Sequence, residues 1–280
     1  MLIKVLVENT PGEELPGEHG LCLYIEYHGR KYLIDSGASD LFAQNADKMG
    51  VDLSGVDMAF LSHAHYDHSG GYGAFFELNK TARVYLQRAA KNRCYSQASD
   101  PAGKYIGIPE GMLSTYADRF NYIDGYTAAD DGVYIVPHSS SGILERALRT
   151  HMCVSCGQEF IPDDFSHEQA VVFEDEGGLI CFNSCSHAGV DIIIEEIKKA
   201  FPGKKIRAYF GGFHMMGASG PSSSGYSKEE VQEVAQRLKD SCDAVFYSGH
   251  CTGTVAYEWL KEVLGDRLEA FRSGRVIELR

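Results

Sequence analysis

Long apolar runs are missing from this 280-residue chain. No stretch approaches the roughly 18 consecutive apolar residues that cross a bilayer as a helix, so a transmembrane helix is excluded. Positive charge is also short, with 26 Lys and Arg against 39 Asp and Glu. That balance argues against generic binding to nucleic-acid backbones or anionic membrane surfaces. It leaves room for a small phosphorylated substrate held by a few local cations. The first residues, Met1 to Glu8, lack the basic start and long apolar core of a signal peptide and read as a strand, so a cytoplasmic location is the expectation. Eight cysteines are too few for a disulfide framework in a chain this long, and reduced thiols are expected. Cys153-Val154-Ser155-Cys156 has no partner pair at zinc-finger spacing and reads as two thiols in an irregular loop.

What the chain does have is apolar substance for a core and a regular order of elements. Strands are predicted over 3–8, 21–27 and 31–35, a β-meander with a turn at His28-Gly29-Arg30. A helix over 41–49 stops at Gly50, and a short apolar strand over 56–61 follows. A helix to Asn79 and a strand over 83–87 come next. From about 88 to 165 no sustained period appears, and the segment reads as a loop-rich insertion. Regularity returns with a hairpin over 170–183. Helices over 190–201, 228–239 and 255–264 then alternate with strands over 205–210 and 244–247. No linker interrupts the chain, which reads as a single α/β domain over 1–280 with layered sheets.

The densest chemistry is His63-Ala64-His65-Tyr66-Asp67-His68, three imidazoles and a carboxylate directly after a predicted strand. In an extended segment His63, His65 and Asp67 point one way and His68 another, so two adjacent metal ions could share the cluster. Histidine nitrogen and aspartate oxygen suit zinc, and iron or manganese take the same donors. Three further histidines, His187, His214 and His250, each follow a predicted strand and sit among small residues that let backbone approach a ligand closely. His187 and His250 join the metal candidates, whereas His214 reads as a substrate contact. His19, His28, His138, His151 and His167 stand in turns or irregular segments and are read as structural, though His167 and Glu168 lie close enough to a strand to reach the metals. Arg88, Lys91 and Lys104 are candidates for holding substrate.

With these pieces assembled, the chain resembles the metallo-β-lactamase superfamily. More narrowly it is similar to the branch of metal-dependent hydrolases related to the dihydropterin ribofuranosyl-aminobenzene phosphate synthase of methanogens. The matching residues are His19-Gly20, Leu33 to Gly37, Ser62 to Gly71, Ser184 to Gly189, Gly211 to His214 and Gly249 to Gly253. The resemblance implies an αββα four-layer sandwich with two divalent metal ions at one edge of the paired sheets. It implies that His63 and His65 hold the first ion and that Asp67, His68 and His250 hold the second. His187 completes the first site or bridges the two, and Asp35 orients a ligand histidine from behind. Most hydrolases of the superfamily carry a metal-bridging aspartate where this chain has Ser184-Cys185. The iron-based oxygen-reducing branch places a glutamate where this chain has His65.

The function expected is hydrolysis of a small ester, phosphoester, lactone or amide by metal-activated water, with Asp67 ligating and passing a proton and His214 near the reacting group. A pterin-type synthase or transferase, and a metal-dependent ligand binder without turnover, are the alternatives.

Overall fold

Alternation of apolar side chains sets the architecture. The computed structural model describes residues 1–138 and 143–280. In the strand Cys22–Tyr27, Cys22 and Tyr24 pack with one apolar cluster while Leu23, Ile25 and Tyr27 pack with another. The strand Gly178–Phe182 does the same, with Leu179 and Cys181 on one side and Ile180 and Phe182 on the other. A strand buried on both faces belongs to a sheet covered on both sides, and period-2 alternation assigns each side chain to its face.

The first sheet is built from β1 (Leu2–Val7), β2 (Cys22–Tyr27), β3 (Arg30–Ile34), β4 (Met58–Phe60), β5 (Val84–Gln87) and β6 (Phe120–Ile123). The second contains β7 (Thr127–Asp130), β8 (Val133–Pro137), β9 (Gln169–Asp175), β10 (Gly178–Phe182), β11 (Ile206–Phe210), β12 (Val245–Ser248) and β13 (Leu268–Ala270). The final strand, β14 (Val276–Glu278), returns to the first sheet and pairs antiparallel with β1. Each sheet has seven strands, in the orders β14-β1-β2-β3-β4-β5-β6 and β13-β12-β11-β10-β9-β8-β7.

Three apolar clusters mark the layers. One lies between the sheets and includes Ile25, Phe60, Phe173, Phe182 and Phe210. A second packs α1 (Leu41–Lys48) and α2 (Tyr72–Leu78) on the outer face of the first sheet through Phe42, Tyr72, Phe75 and Phe76. The third packs α3 (Val190–Ala200), α4 (Lys228–Ser241) and α5 (Thr254–Leu264) on the second sheet through Ile193, Ile194, Val231 and Leu260. The layering is helix, sheet, sheet, helix, as the resemblance implied. Among the described residues no helix is long and apolar enough to cross a membrane.

The meander, the helices and the hairpin fall close to the predicted bounds. The stretch from 88 to 165 differs. It supplies β6, β7 and β8 to the two principal sheets, and Cys94–Ser96, Lys104–Tyr105, Met152–Cys156 and Glu159–Pro162 form a separate four-stranded sheet. Several of these strands, such as Lys104–Tyr105, Thr127–Asp130 and Glu159–Pro162, are half-buried or exposed and lack the apolar run that marks the equally short β4, which is why the sequence reads there as irregular. Cys153 is buried and Cys156 exposed on one of these strands, and all eight cysteines are unpaired.

Candidate metal centre

Strands β3 and β4 run parallel, as do β10, β11, β12 and β13, so their carboxyl ends gather at one edge of the sandwich. Every chemistry-bearing loop leaves that edge: Asp35 after β3, His63 after β4, Cys185 and His187 after β10, His214 after β11 and His250 after β12. Asp35, Ser186, His214 and His250 all have positive φ, a conformation costing about 1–2 kcal/mol for such residues, and hydrogen bonds hold Asp35, Ser186 and His250 in it.

His63 and Ala64 lie in a bend, His65 is extended, and at Tyr66 the backbone turns into a single helical turn, Tyr66–Ser69. That turn corrects the extended reading of the whole motif. His68 does not point away: its Nε2 lies 3.4 Å from Asp67 Oδ2 and 3.1 Å from His250 Nε2, and its ring centre is 4.2 Å from that of His63. Asp67 Oδ2 is also 3.4 Å from His250 Nε2. Two nitrogens bound tetrahedrally to one zinc at about 2.0–2.1 Å lie about 3.4 Å apart, so His68 and His250 stand at ligand spacing.

The other half is built of rings. His187 centres 4.8 Å from both His63 and His65, which are 4.6 Å from each other. His63 Nε2, His65 Nε2 and both nitrogens of His187 are buried without any hydrogen-bond partner. Buried polar atoms are normally satisfied, so a cluster of bare imidazole lone pairs fits a cation that protein atoms do not replace. Cys185 Sγ lies among these donors, 3.3 Å from His68 Nε2. The residues present therefore fit a pair of divalent ions.

Titration follows the same geometry. Burial and the neighbouring His68 and His65 hold His63 well below the usual imidazole range, and burial with His214 and His63 does the same to His187. His65 is pushed down to about 3, chiefly by burial and by His167. Neutral imidazole is the form a metal takes. For His68 burial opposes charge, but Asp67 and Asp35 outweigh it and raise the ring to about 10. Burial also opposes ionisation of Asp67, yet the neighbouring His68 and His250 rings keep its carboxyl well below the ordinary value.

A second ring of residues orients these groups. Asp35, fully buried, accepts from Ser62 N and Oγ at 2.7 Å each, from Ser184 Oγ at 2.5 Å and from His68 Nδ1 at 2.8 Å. Glu168 accepts from His187 N at 2.7 Å and Ala188 N at 3.0 Å, so it shapes the loop and does not face the rings as the sequence allowed. Glu8 accepts from His250 N at 2.5 Å, and Asn9 Oδ1 accepts from His250 Nδ1 at 2.8 Å, leaving His250 Nε2 free as an electron-pair donor. Neither Glu8 nor Asn9 carries a sequence signal, because each lies more than 240 positions from its partner.

Other expectations change. His19, read as structural, places Nε2 3.3 Å from Asp67 Oδ2 with its side chain 47% exposed, at the mouth of the centre. His167 accepts from Ala64 N through Nδ1, so its proton sits on Nε2, where Asp163 Oδ2 accepts it at 3.1 Å with Cys94 Sγ at 3.6 Å. That tautomer makes His167 a brace behind His65, and His65, Cys94, Asp163 and His167 also bring ligand atoms within 4.8 Å of one another, a further group able to hold an ion. His214 is half-buried beside His187, ring centres 4.1 Å apart, with Nδ1 unpartnered. Arg88 is paired with Asp124, and Lys91 lies 4.1 Å over the Tyr122 ring, so neither is a free cation. Lys104 is exposed on its short strand.

The family model of the metallo-beta-lactamase superfamily matches residues 15–178, more than half of the chain. Two relatives come from Methanocaldococcus jannaschii. An uncharacterised protein is 26% identical over 94% of this chain and 94% of its own length. The 7,8-dihydropterin-6-methyl-4-(beta-D-ribofuranosyl)-aminobenzene-5'-phosphate synthase is 24% identical over 99% of this chain and 96% of its own. The crystal structure of a metal-dependent hydrolase of the beta-lactamase superfamily superposes with a TM-score of 0.81 at 25% identity, over 100% of this chain and 99% of that one. Sandwich, strand-end histidines and these likenesses agree: the chain belongs to the metallo-beta-lactamase superfamily.

Proposed function

We propose that this chain is a metal-dependent hydrolase acting on a small ester, phosphoester, lactone or amide, with zinc as the first metal to test and iron or manganese next. The observation that carries the reading is the set of bare, buried imidazole nitrogens on His63, His65 and His187 beside the convergent His68 Nε2, His250 Nε2 and Asp67 Oδ2. In this reading His63, His65 and His187 hold one ion, and Asp67, His68 and His250 hold the other. Bound there, the ions supply a water acidified toward neutral pH as nucleophile and polarise the oxygen under attack.

The protein groups supply position and proton traffic. Asp35 and Asn9 lock the His68 and His250 rings through Nδ1, and Glu168 holds the His187 backbone. Asn9 Nδ2 stands 3.2 Å from His19 Nδ1, and because Asn9 Oδ1 already accepts from Gly20 N, the amide donates to His19. The His19 proton then sits on Nε2, facing Asp67 Oδ2 and solvent, where it is available to a leaving group. His214, at the rim beside His187, contacts substrate. The substrate is a small molecule, and the acidic balance of the chain argues against nucleic acid or an anionic membrane as partner.

The test is a panel of nitrophenyl phosphomonoester, phosphodiester, carboxylic ester, lactone and anilide substrates with zinc- or manganese-loaded protein. The reading expects turnover of at least one class, abolished in His63→Ala and by chelation. A second reading, a pterin-type synthase, is favoured by likeness to the methanogen synthase along 99% of the chain. Condensation of a pterin alcohol with an aminobenzene ribotide, without hydrolysis of the panel, would establish it. Metal uptake with neither activity would leave a ligand binder.

A further inference from the structure

We infer that Cys185 is the ligand that bridges the two metal ions, its thiolate standing where a carboxylate would otherwise join them. The inference rests on the two-metal reading above. Its ground is position. Cys185 Sγ groups with donor atoms of His63 and His187, and again with those of His68 and His250, all within 4.8 Å of one another in each set. Among the described residues no other side chain belongs to both sets. A sulfur and a nitrogen bound tetrahedrally to the same zinc, at about 2.3 and 2.0–2.1 Å, lie about 3.6 Å apart, and the Sγ to His68 Nε2 separation is 3.3 Å.

The surrounding loop aims this side chain. Ser184 Oγ donates to Asp35, and Ser186, with positive φ, bonds through Oγ to the Gly212 carbonyl at 2.7 Å and the Tyr209 hydroxyl at 2.8 Å. The backbone on both sides of Cys185 is thus pinned, and its side chain is only 2% exposed. The buried carboxylates nearby are committed elsewhere. Asp35 serves Ser62, Ser184 and His68; Glu168 serves His187 N and Ala188 N; Glu8 serves His250 N and Thr10 N. Asp67 remains with the His68 and His250 side. Cys251, the other sulfur close by, donates to the Cys185 carbonyl at 3.5 Å and groups with Cys185 and His214, outside the two sets that hold His63, His68, His187 and His250. When Cys185 ligates, the S–H bond breaks, the proton passes to solvent and the sulfur lone pairs form the two metal bonds.

The experiment uses the full chain, reduced and reconstituted anaerobically with cobalt(II) or zinc. Cobalt protein should bind two ions and show a near-ultraviolet thiolate-to-cobalt charge-transfer band, lost in Cys185→Ser and kept in Cys251→Ser. Cys185→Asp should still bind two ions without the band. X-ray absorption at the zinc edge of the wild type should show about one sulfur per zinc at about 2.3 Å. This last readout tests the bridge even if the Cys185 variants fail to fold, provided Cys251→Ser keeps the same one sulfur per zinc. Half a sulfur per zinc would place Cys185 on one ion only and overturn the bridge. Two bound ions without sulfur scattering, or a band that survives Cys185→Ser and vanishes in Cys251→Ser, would overturn it and leave the two-metal reading intact. Failure of the wild type to take up metal would overturn both.

Discussion

Asp35 is the residue on which most of the centre leans, since it joins the loops after β3, β4 and β10 to the His68 ring through four hydrogen bonds. Asp35→Asn removes the charge and turns donors toward donors. We expect a loss of about 3–5 kcal/mol in urea unfolding of the metal-free protein, and metal affinity weakened about 10–100-fold in chelator competition. His68 gives a pH signature. With its ring raised to about 10, it is protonated at pH 8 in the metal-free protein, and ligation must expel that proton. Metal affinity should therefore rise with pH up to about 10, and calorimetry in buffers of different ionisation enthalpy should register proton release. Binding independent of pH between 7 and 9 would contradict this. At this scale the sequence displays what is local. The spacing within 63–68 exposes the ligands, whereas Glu8 and Asn9 act through partners more than 240 positions away and leave no pattern to read, and His19, visible only as part of the His19-Gly20 match, gives no sign of its approach to Asp67.

At the scale of elements, the crossing from β11 into its loop is the tightest point of the edge. Gly211 has φ +150°, and a Cβ there would lie 1.7 Å from the Asn183 carbonyl oxygen. Gly211→Ala should cost on the order of 3 kcal/mol or more. Gly29→Ala, at φ +79° with open space around it, should cost about 1–2 kcal/mol, the conformational term alone. Urea midpoints of the two variants separate crowding from φ. Equal losses would show that the β11 loop moves aside. The strands and helices outside 88–165 were legible because each presents a buried apolar run, as in β4 and β12, or an apolar helical stripe, as in α3. The strands between 88 and 165 were not, and β6 to β8 are recognisable only through the sheets they join.

At the scale of the molecule, the centre draws residues from both sheets, with His63, Asp67 and His68 following β4 and His187 and His250 following β10 and β12. Ions held between them would clamp the two half-sandwiches together. A ligand at 100 times its Kd adds about 2.7 kcal/mol, so metal loading should raise Tm by roughly 5–10 °C, reversed by chelation. Anomalous diffraction from crystals grown with zinc tests the central claim most directly. The account predicts two peaks, one enclosed by His63, His65 and His187 and the other by Asp67, His68 and His250, with Cys185 Sγ between them. A single peak, or peaks coordinated by Cys94, Asp163 and His167 instead, would contradict it.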